Sequence, residues 1–67
     1  MQTVVIHTQN LVDAVEFFEA LGLRFSEEKH GGGATHFAHA GADGHVLEIY
    51  PLTQDWPHEG LHVIGAV

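Results

Sequence analysis

The sequence predicts an α+β fold made of one βαβββ module and an additional C-terminal strand. Two observations predict it: several short runs of β-branched and aromatic residues with alternating polarity, and a single stretch with the spacing of an amphipathic helix. A chain of 67 residues forms one small domain at most. We divide it into a βαβββ unit over residues 1–51 and a loop with one further strand over residues 52–67.

The first strand is predicted over residues 2–8, a β-branched run that ends at two polar residues. Side chains alternate along a strand, so Val4 and Ile6 are expected to face a core covered by a helix. Val5 and His7 are expected on the opposite face of the sheet.

An amphipathic helix is predicted next. Asn10 is expected to cap its N-terminus, and Gly22 is expected to end it. Apolar residues recur at helical spacing in two neighbouring rows. The rows are Leu11, Val15 and Phe18, and Ala14, Phe17 and Leu21.

Four more strands follow the helix. They are predicted over residues 23–30, 34–40, 45–51 and 61–67. Gly31, Gly32 and Gly33 form a turn between the first two of these strands, with an anion-binding loop as the less favoured interpretation. The last strand could add to a sheet edge in its own chain or in a partner chain.

The hairpin between the third and fourth strands contains the main candidate site. If Gly41 pairs with Gly44 across a two-residue turn, Phe37 lies opposite Glu48 and shares its face with His39. A bulge in the turn would reverse the faces of one strand. Glu48 stands between apolar neighbours, and a carboxylate is costly to bury without a partner. We therefore expect it to face a cavity, with a glutamate that reaches water as the alternative.

The composition excludes some classes of binding partner. Nine acidic residues against two basic ones give a formal charge of −7, the wrong sign for binding nucleic acid. No apolar run approaches the roughly 20 residues that span a bilayer, and no secretory signal is evident. We expect no nucleic-acid or membrane partner and a cytoplasmic location. The absence of cysteine leaves oligomerisation or a histidine–carboxylate metal site to stabilise so small a core.

Three segments resemble one protein family. L-V-D-A-V-E-F-F-E-A-L-G-L (residues 11–23) resembles the helix-and-turn signature of the glyoxalase / bleomycin-resistance / extradiol dioxygenase superfamily, also called vicinal oxygen chelate proteins. E-E-K-H-G-G-G-A-T-H-F-A (27–38) and V-L-E-I-Y-P (46–51) are similar to a bacterial branch of it. The resemblance implies a cup-shaped sheet completed by two modules, and hence a homodimer when each chain supplies one module.

The resemblance also implies where a metal ion would bind. Metal-dependent members take ligands from the first and fourth strands of each module, and Glu48 matches the fourth-strand glutamate. The first-strand ligand position falls on Thr3, a poor ligand, whereas His7 points to the same face. His62 lies where the first-strand ligand of a second module would begin. The implied metal ligands are Glu48, His7 and His62, and the implied ion is Ni²⁺, Zn²⁺, Fe or Mn²⁺.

Three interpretations stay open. The first is a homodimeric small-molecule-binding protein that holds an apolar or cationic aromatic ligand in a cavity shared by two chains. Its expected ligand-binding residues are His7, Phe37, His39, Glu48 and Tyr50. The second is a metal-dependent glyoxalase-type lyase or isomerase in which Glu48 moves the proton. The third is a truncated or engineered half of a two-module protein. Tyr50 and Trp56 are expected either in an aromatic lining or in ordinary core or a dimer interface, and His36 is expected to pack against or cap the hairpin.

Overall fold

The computed structural model of the protein describes residues 2–65 and has the predicted α+β fold. The elements are β1 (Gln2–Thr8), α1 (Leu11–Ala20), β2 (Ser26–Glu28), β3 (His36–Ala40), β4 (Val46–Pro51) and β5 (Gly60–Gly65). The order β-α-β-β-β, followed by one more strand, is confirmed. β2 is shorter than the predicted residues 23–30, and the last two residues of the predicted fifth strand lie outside the described residues.

The five strands form one open mixed sheet in the order β2-β3-β4-β1-β5. β1 runs parallel to β4 and antiparallel to β5, and the β2–β3 and β3–β4 pairs are antiparallel. The last strand therefore adds to a sheet edge in its own chain, beside β1. No helix among residues 2–65 is long and apolar enough to cross a membrane. The cytoplasmic location stays a prediction.

Helix α1 ends as predicted. The N–H of Leu23 donates to the carbonyl of Phe18 at 3.2 Å, and the N–H of Gly22 donates to the carbonyl of Glu19 at 2.9 Å. This pair of hydrogen bonds is the Schellman ending of a helix. It needs a left-handed residue, which Gly22 provides with a φ of 99°.

Asn10 occupies the N-cap position of the helix, as predicted, but its side chain does not cap the helix. Asn10 makes no side-chain cap hydrogen bond, and its own backbone N–H donates to Thr8 Oγ1 at 3.0 Å. The carboxylate of Glu59 fixes this turn, because its Oε2 accepts from the Thr8 hydroxyl at 2.9 Å and from the Gln9 N–H at 3.1 Å. A side chain from the distant β4–β5 loop thus holds the turn that precedes the helix.

The apolar core is small. Among residues 2–65, the buried hydrophobic side chains are Val5, Val15 and Ile49. Val4 and Ile6 lie on the face of the sheet that α1 covers, as predicted, and they line a groove with a side chain of the helix. The second predicted row of the helix is wrong in part: Phe17 and Leu21 are 61% and 64% exposed.

Candidate ligand-binding site

Four aromatic side chains from neighbouring strands stack in a row on the sheet face that α1 leaves open. They are His36 on β3, Tyr50 on β4, His7 on β1 and His62 on β5. The rings of His36 and Tyr50 lie 4.2 Å apart, and those of His7 lie 5.3 Å from Tyr50 and 5.6 Å from His62. All three pairs are within 24° of parallel. We name these four side chains the ring row.

The strand register explains this row. His7 pairs with Tyr50 across β1 and β4, and His62 pairs with Val5 across β1 and β5. Since Val5 and His7 point to the same face of β1, the three rings must also share that face. Alternation along the strands therefore predicts the row once the pairing is known.

Trp56 lies against the ring row from the loop between β4 and β5. Its ring is 4.9 Å from that of His7 and 4.5 Å from that of His62, nearly parallel to both. Backbone hydrogen bonds hold the residue in place. The backbone N–H of Trp56 donates to Thr53 Oγ1 at 3.1 Å, and the backbone N–H of Thr53 donates to the Trp56 carbonyl at 3.0 Å. The indole is still 48% exposed, so one part of it is accessible to a ligand.

A cleft of about 310 Å³ lies on this face. His7, Glu48 and Tyr50, three of the five predicted ligand-binding residues, line it together with His62 and Trp56. The structure therefore brings most of the predicted site into one place within a single chain. Of the alternatives that the sequence offers for Trp56, the structure places its side chain in the lining of the cleft.

Burial and neighbouring charges set the protonation of two rings in the cleft. Burial, and next the nearby His62, lower the pKa of His7 below its ordinary value. Burial, followed by the carboxylates of Glu48 and Glu28, raises the pKa of the Tyr50 phenol. Both rings are therefore uncharged at neutral pH. The carboxylates that line the cleft then give it a negative potential.

Two imidazole nitrogens of the cleft-lining histidines have no hydrogen-bond partner among the residues that the structure describes. They are Nδ1 of His7 and Nδ1 of His62, and both atoms are buried. A buried polar atom without a partner costs free energy, and a ligand contact, an ion or a water commonly explains it. A bound ligand, ion or water would give these nitrogens a partner.

The predicted register of the β3–β4 hairpin is wrong by one residue. Ala38, not Phe37, lies opposite Glu48. The turn contains three residues rather than two, because the N–H of Gly41 donates to the carbonyl of His45 at 2.8 Å. A shift of one residue turns the whole strand over. Phe37 therefore lies on the opposite face from Glu48.

The same shift in register reverses the faces on which His36 and His39 lie. His36 takes a place in the ring row, whereas the sequence suggested only packing or capping for it. His39 lies on the side of the sheet that faces the helix, with Nδ1 2.8 Å from the carbonyl of Arg24 and its ring 5.8 Å from that of Phe25. Neither Phe37 nor His39 lines the cleft. The sequence contained one signal for His36: a bulge in the β3–β4 turn, the alternative to the two-residue turn, would have placed His36 on the same face as Glu48.

A larger groove of about 730 Å³ lies between the helix and the sheet. Its lining is mostly apolar and includes Val4, Ile6 and Phe18. The polar groups that it contains already have partners: His39 contacts a backbone carbonyl, and Asp43 pairs with His45 at 2.9 Å. Binding sites combine an apolar lining with polar groups that are free to contact a ligand. The cleft beside the ring row meets that description better.

The predicted divalent metal ion has one candidate cluster in the described part of the chain. Glu28, His30 and His36 each offer a ligand atom, and these atoms all lie within 4.8 Å of one another. The predicted ligands Glu48, His7 and His62 are not members of this group. Their role in metal binding stays a prediction.

Comparisons of the chain with protein-family models, with curated proteins and with solved structures found no match. The resemblance to the glyoxalase superfamily therefore stays a prediction. The cleft is interpreted from its own geometry, which consists of stacked rings, a half-exposed indole and a carboxylate.

Proposed function

We propose that the protein binds a flat apolar or cationic aromatic molecule in the cleft beside the ring row. The observation that carries this proposal is the stack of His7, His62 and Trp56 in a cleft that also contains the Glu48 carboxylate. Ring faces attract other aromatic rings, and a nearby carboxylate favours a ring with positive charge. We further propose membership of the glyoxalase / bleomycin-resistance superfamily, which the sequence motifs suggest.

Size and charge restrict the ligand. A cleft of about 310 Å³ is at the small end of ligand-binding sites, which range over about 300–1,000 Å³. Two or three fused rings would fill it. The formal charge of −7 attracts cations to the whole molecule, and Asp55 adds a second carboxylate to the lining of the cleft. A planar aromatic cation therefore fits better than an anion.

We also propose that two copies of the chain pair through the free edge of β5 and complete the cup. Three apolar side chains on this strand support it: Leu61, Val63 and Ile64 are 63%, 55% and 59% exposed. An edge strand presents unpaired N–H and C=O groups, and two identical strands can pair about a two-fold axis. The pairing would extend the sheet and enlarge the cleft.

Binding of a planar cation tests the proposal. N-methylacridinium is titrated into the protein by calorimetry, beside acridone, a neutral ring system of similar size. We expect Glu48→Gln to weaken N-methylacridinium binding about tenfold, because one favourable charge contact of about 1.4 kcal/mol is lost. Acridone binding should change by less than about twofold, since stacking remains.

Glu16→Gln is the matched control. It removes the same charge from the exposed side of α1, far from the cleft lining, so it separates the overall charge from the local contact. Equal weakening in the two variants, or indifference to Glu48→Gln, would contradict the role of Glu48. Failure of both dyes to bind would contradict the proposed ligand class.

A metal-dependent lyase or isomerase of glyoxalase type is the second candidate. The unpartnered Nδ1 atoms of His7 and His62, in the same cleft as Glu48, favour it, because imidazole and carboxylate are suitable ligands for Ni²⁺, Zn²⁺, Fe or Mn²⁺. Such an ion would polarise the substrate oxygens. Glu48 would hold or transfer the proton, and the rings would orient the substrate. Calorimetric Ni²⁺ binding that Glu48→Gln weakens would support this candidate, and unchanged binding would exclude it.

A further inference from the structure

Three side chains with metal-binding atoms meet at the β2–β3 hairpin. Glu28, the last residue of β2, pairs with His36, the first residue of β3, and His30 follows β2 directly before the glycine turn. Nε2 of His30 lies 3.5 Å, and Nε2 of His36 lies 3.3 Å, from the same Glu28 oxygen, Oε1. We name Glu28, His30 and His36 the hairpin triad. It lies outside the lining of the cleft.

These distances fit a tetrahedral ion. Zinc binds imidazole nitrogen and carboxylate oxygen at about 2.0–2.2 Å, so two ligands at tetrahedral corners lie roughly 3.3 Å apart. The two nitrogen–oxygen distances, 3.5 Å and 3.3 Å, match this separation. An ion pair between a protonated histidine and a carboxylate gives similar distances. A second observation is therefore needed to choose between them.

The environment of His36 supplies that observation. The side chain is 2% exposed, and its Nδ1 lies 3.2 Å from the carbonyl of Ala34. A carbonyl only accepts, so Nδ1 donates its proton to Ala34, and Nε2 is the ring nitrogen that faces Glu28. Nε2 is buried and has no hydrogen-bond partner among residues 2–65, although Glu28 Oε1 is nearby. A metal ion bound between Nε2 and Oε1 would give this buried nitrogen a partner.

The surroundings also suit an ion. Tyr50 stacks on His36 with the rings 4.2 Å apart and 11° from parallel, which fixes the direction of the imidazole. The carbonyl of Ala34 supports the other ring nitrogen, as in many metal-bound histidines. On the open side, the side chains of His30 and Glu28 are 76% and 39% exposed, so an ion can enter from solvent.

We propose that the hairpin triad binds one divalent transition-metal ion, with Zn²⁺ as the preferred ion. Two imidazoles and one carboxylate form the ligand set that zinc favours, whereas Mg²⁺ and Ca²⁺ favour oxygen ligands alone. A water molecule would complete the coordination. The ion joins the three-residue strand β2 to β3, and it stabilises a domain whose apolar core is small. This role is independent of what the cleft binds.

Calorimetric titration of ZnCl₂ into protein purified without a histidine tag tests the site. We expect one Zn²⁺ per chain at the triad, and no binding of MgCl₂ at the same concentration. His30→Gln and Glu28→Gln should each weaken Zn²⁺ binding about tenfold or more, because a direct ligand is lost. Both side chains reach solvent, so these variants keep the fold.

Three further variants locate the ion. Glu27→Gln changes the neighbouring carboxylate and His58→Gln an exposed loop histidine, and both should bind Zn²⁺ like the unchanged protein. Glu48→Gln should also leave this binding unchanged, which separates the triad from a metal ion in the cleft. In NMR spectra, the first equivalent of Zn²⁺ should shift the ring signals of His30 and His36 and leave those of His58 in place.

Two outcomes would overturn the proposal. Absence of Zn²⁺ binding would show that the triad forms only histidine–glutamate ion pairs. Zn²⁺ binding that survives both His30→Gln and Glu28→Gln would show that the ion binds elsewhere in the chain. Neither outcome bears on dye binding in the cleft, which is measured separately.

Discussion

At the residue scale, His7 determines the character of the ring row. It lies between Tyr50 and His62 and is 5% exposed. Burial acts first and the neighbouring His62 second to lower its pKa below the ordinary imidazole value of about 6.5. The centre of the row is therefore a neutral ring, which can stack on a cation without repelling it.

This lowered pKa predicts a loss of stability on mild acidification. The unfolded chain takes up a proton at His7 near pH 6.5, whereas the folded protein takes it up only at a lower pH. His7 therefore contributes its full share of the free energy of unfolding above about pH 6.5, the pKa of the unfolded chain. This contribution falls as the pH drops from there towards the lower pKa of the folded protein. Denaturant titrations at about pH 7.5 and about pH 5.5 should show the lower midpoint at the lower pH.

His7→Phe should reduce this pH dependence, because a phenyl ring can stack but cannot titrate. His58→Gln changes an exposed histidine and should leave the dependence as it was. Asp43 does not affect the comparison between about pH 7.5 and about pH 5.5. Hydrogen bonds with His45 lower its pKa, so its contribution to the free energy of unfolding is lost only below its ordinary pKa of 3.8. The same fall in midpoint with His7→Phe as with the unchanged protein would contradict the assignment to His7.

At the scale of secondary-structure elements, the β3–β4 turn decides the composition of the site. The three-residue turn puts His36 beside Tyr50, whereas the predicted two-residue turn would have put Phe37 on that face. Gly44 gives the turn its shape with a φ of 88°, and its N–H donates to the carbonyl of Gly41 at 3.1 Å. A left-handed residue at this position is typical of three-residue hairpin loops.

Gly44→Ala should therefore destabilise the protein by about 1–2 kcal/mol, because a side chain with Cβ strains the left-handed conformation. The free energy of unfolding is measured by denaturant titration followed by circular dichroism. Gly32→Ala is the control: Gly32 has no left-handed φ, and a Cβ there would meet nothing within 4 Å. Equal effects of the two substitutions would argue against strain at Gly44.

The elements themselves could be predicted from the sequence, because each depends on local spacing. Alternation predicted the faces of β1, and Gly22 predicted the end of α1. What failed depends on contacts between distant residues. The turn before the helix is held by Glu59, which lies 50 positions from Gln9, while the Asn10 side chain makes no cap hydrogen bond. The hairpin register depended on one additional turn residue. Alternation fixes which residues share a face, but it does not count the residues of a turn.

The candidate site shows the same division. Glu48, His7 and Tyr50 line one cleft, because their positions on one face of the sheet follow from strand alternation and the β1–β4 pairing. The hairpin triad could not be predicted in this way. Glu28 and His36 meet across a strand pair, and His30 joins them from the turn, so the triad appears only when the β2–β3 register is known.

At the scale of the whole molecule, the exposed edge strand β5 is the main departure from a self-sufficient domain. Few apolar side chains are buried among residues 2–65, while three on this one strand are more than half exposed: Leu61, Val63 and Ile64. Exposed edge strands of this kind pair with other strands unless charge or shape prevents it. β5 has no charged side chain apart from what His62 can carry.

The proposed dimer therefore predicts a mass of two chains in solution. Light scattering after size exclusion should give twice the chain mass, and Val63→Lys should shift the protein towards the monomer, because a lysine on an edge strand opposes pairing. Val12→Lys places the same charge on the exposed side of α1, where Val12 is 65% exposed, and should leave the mass unchanged. A protein that stays monomeric at every concentration would contradict pairing through β5. The residues that line the cleft all belong to one chain. If the unchanged protein is a dimer, comparing its dye affinity with that of the Val63→Lys monomer shows whether the second copy contributes to the site.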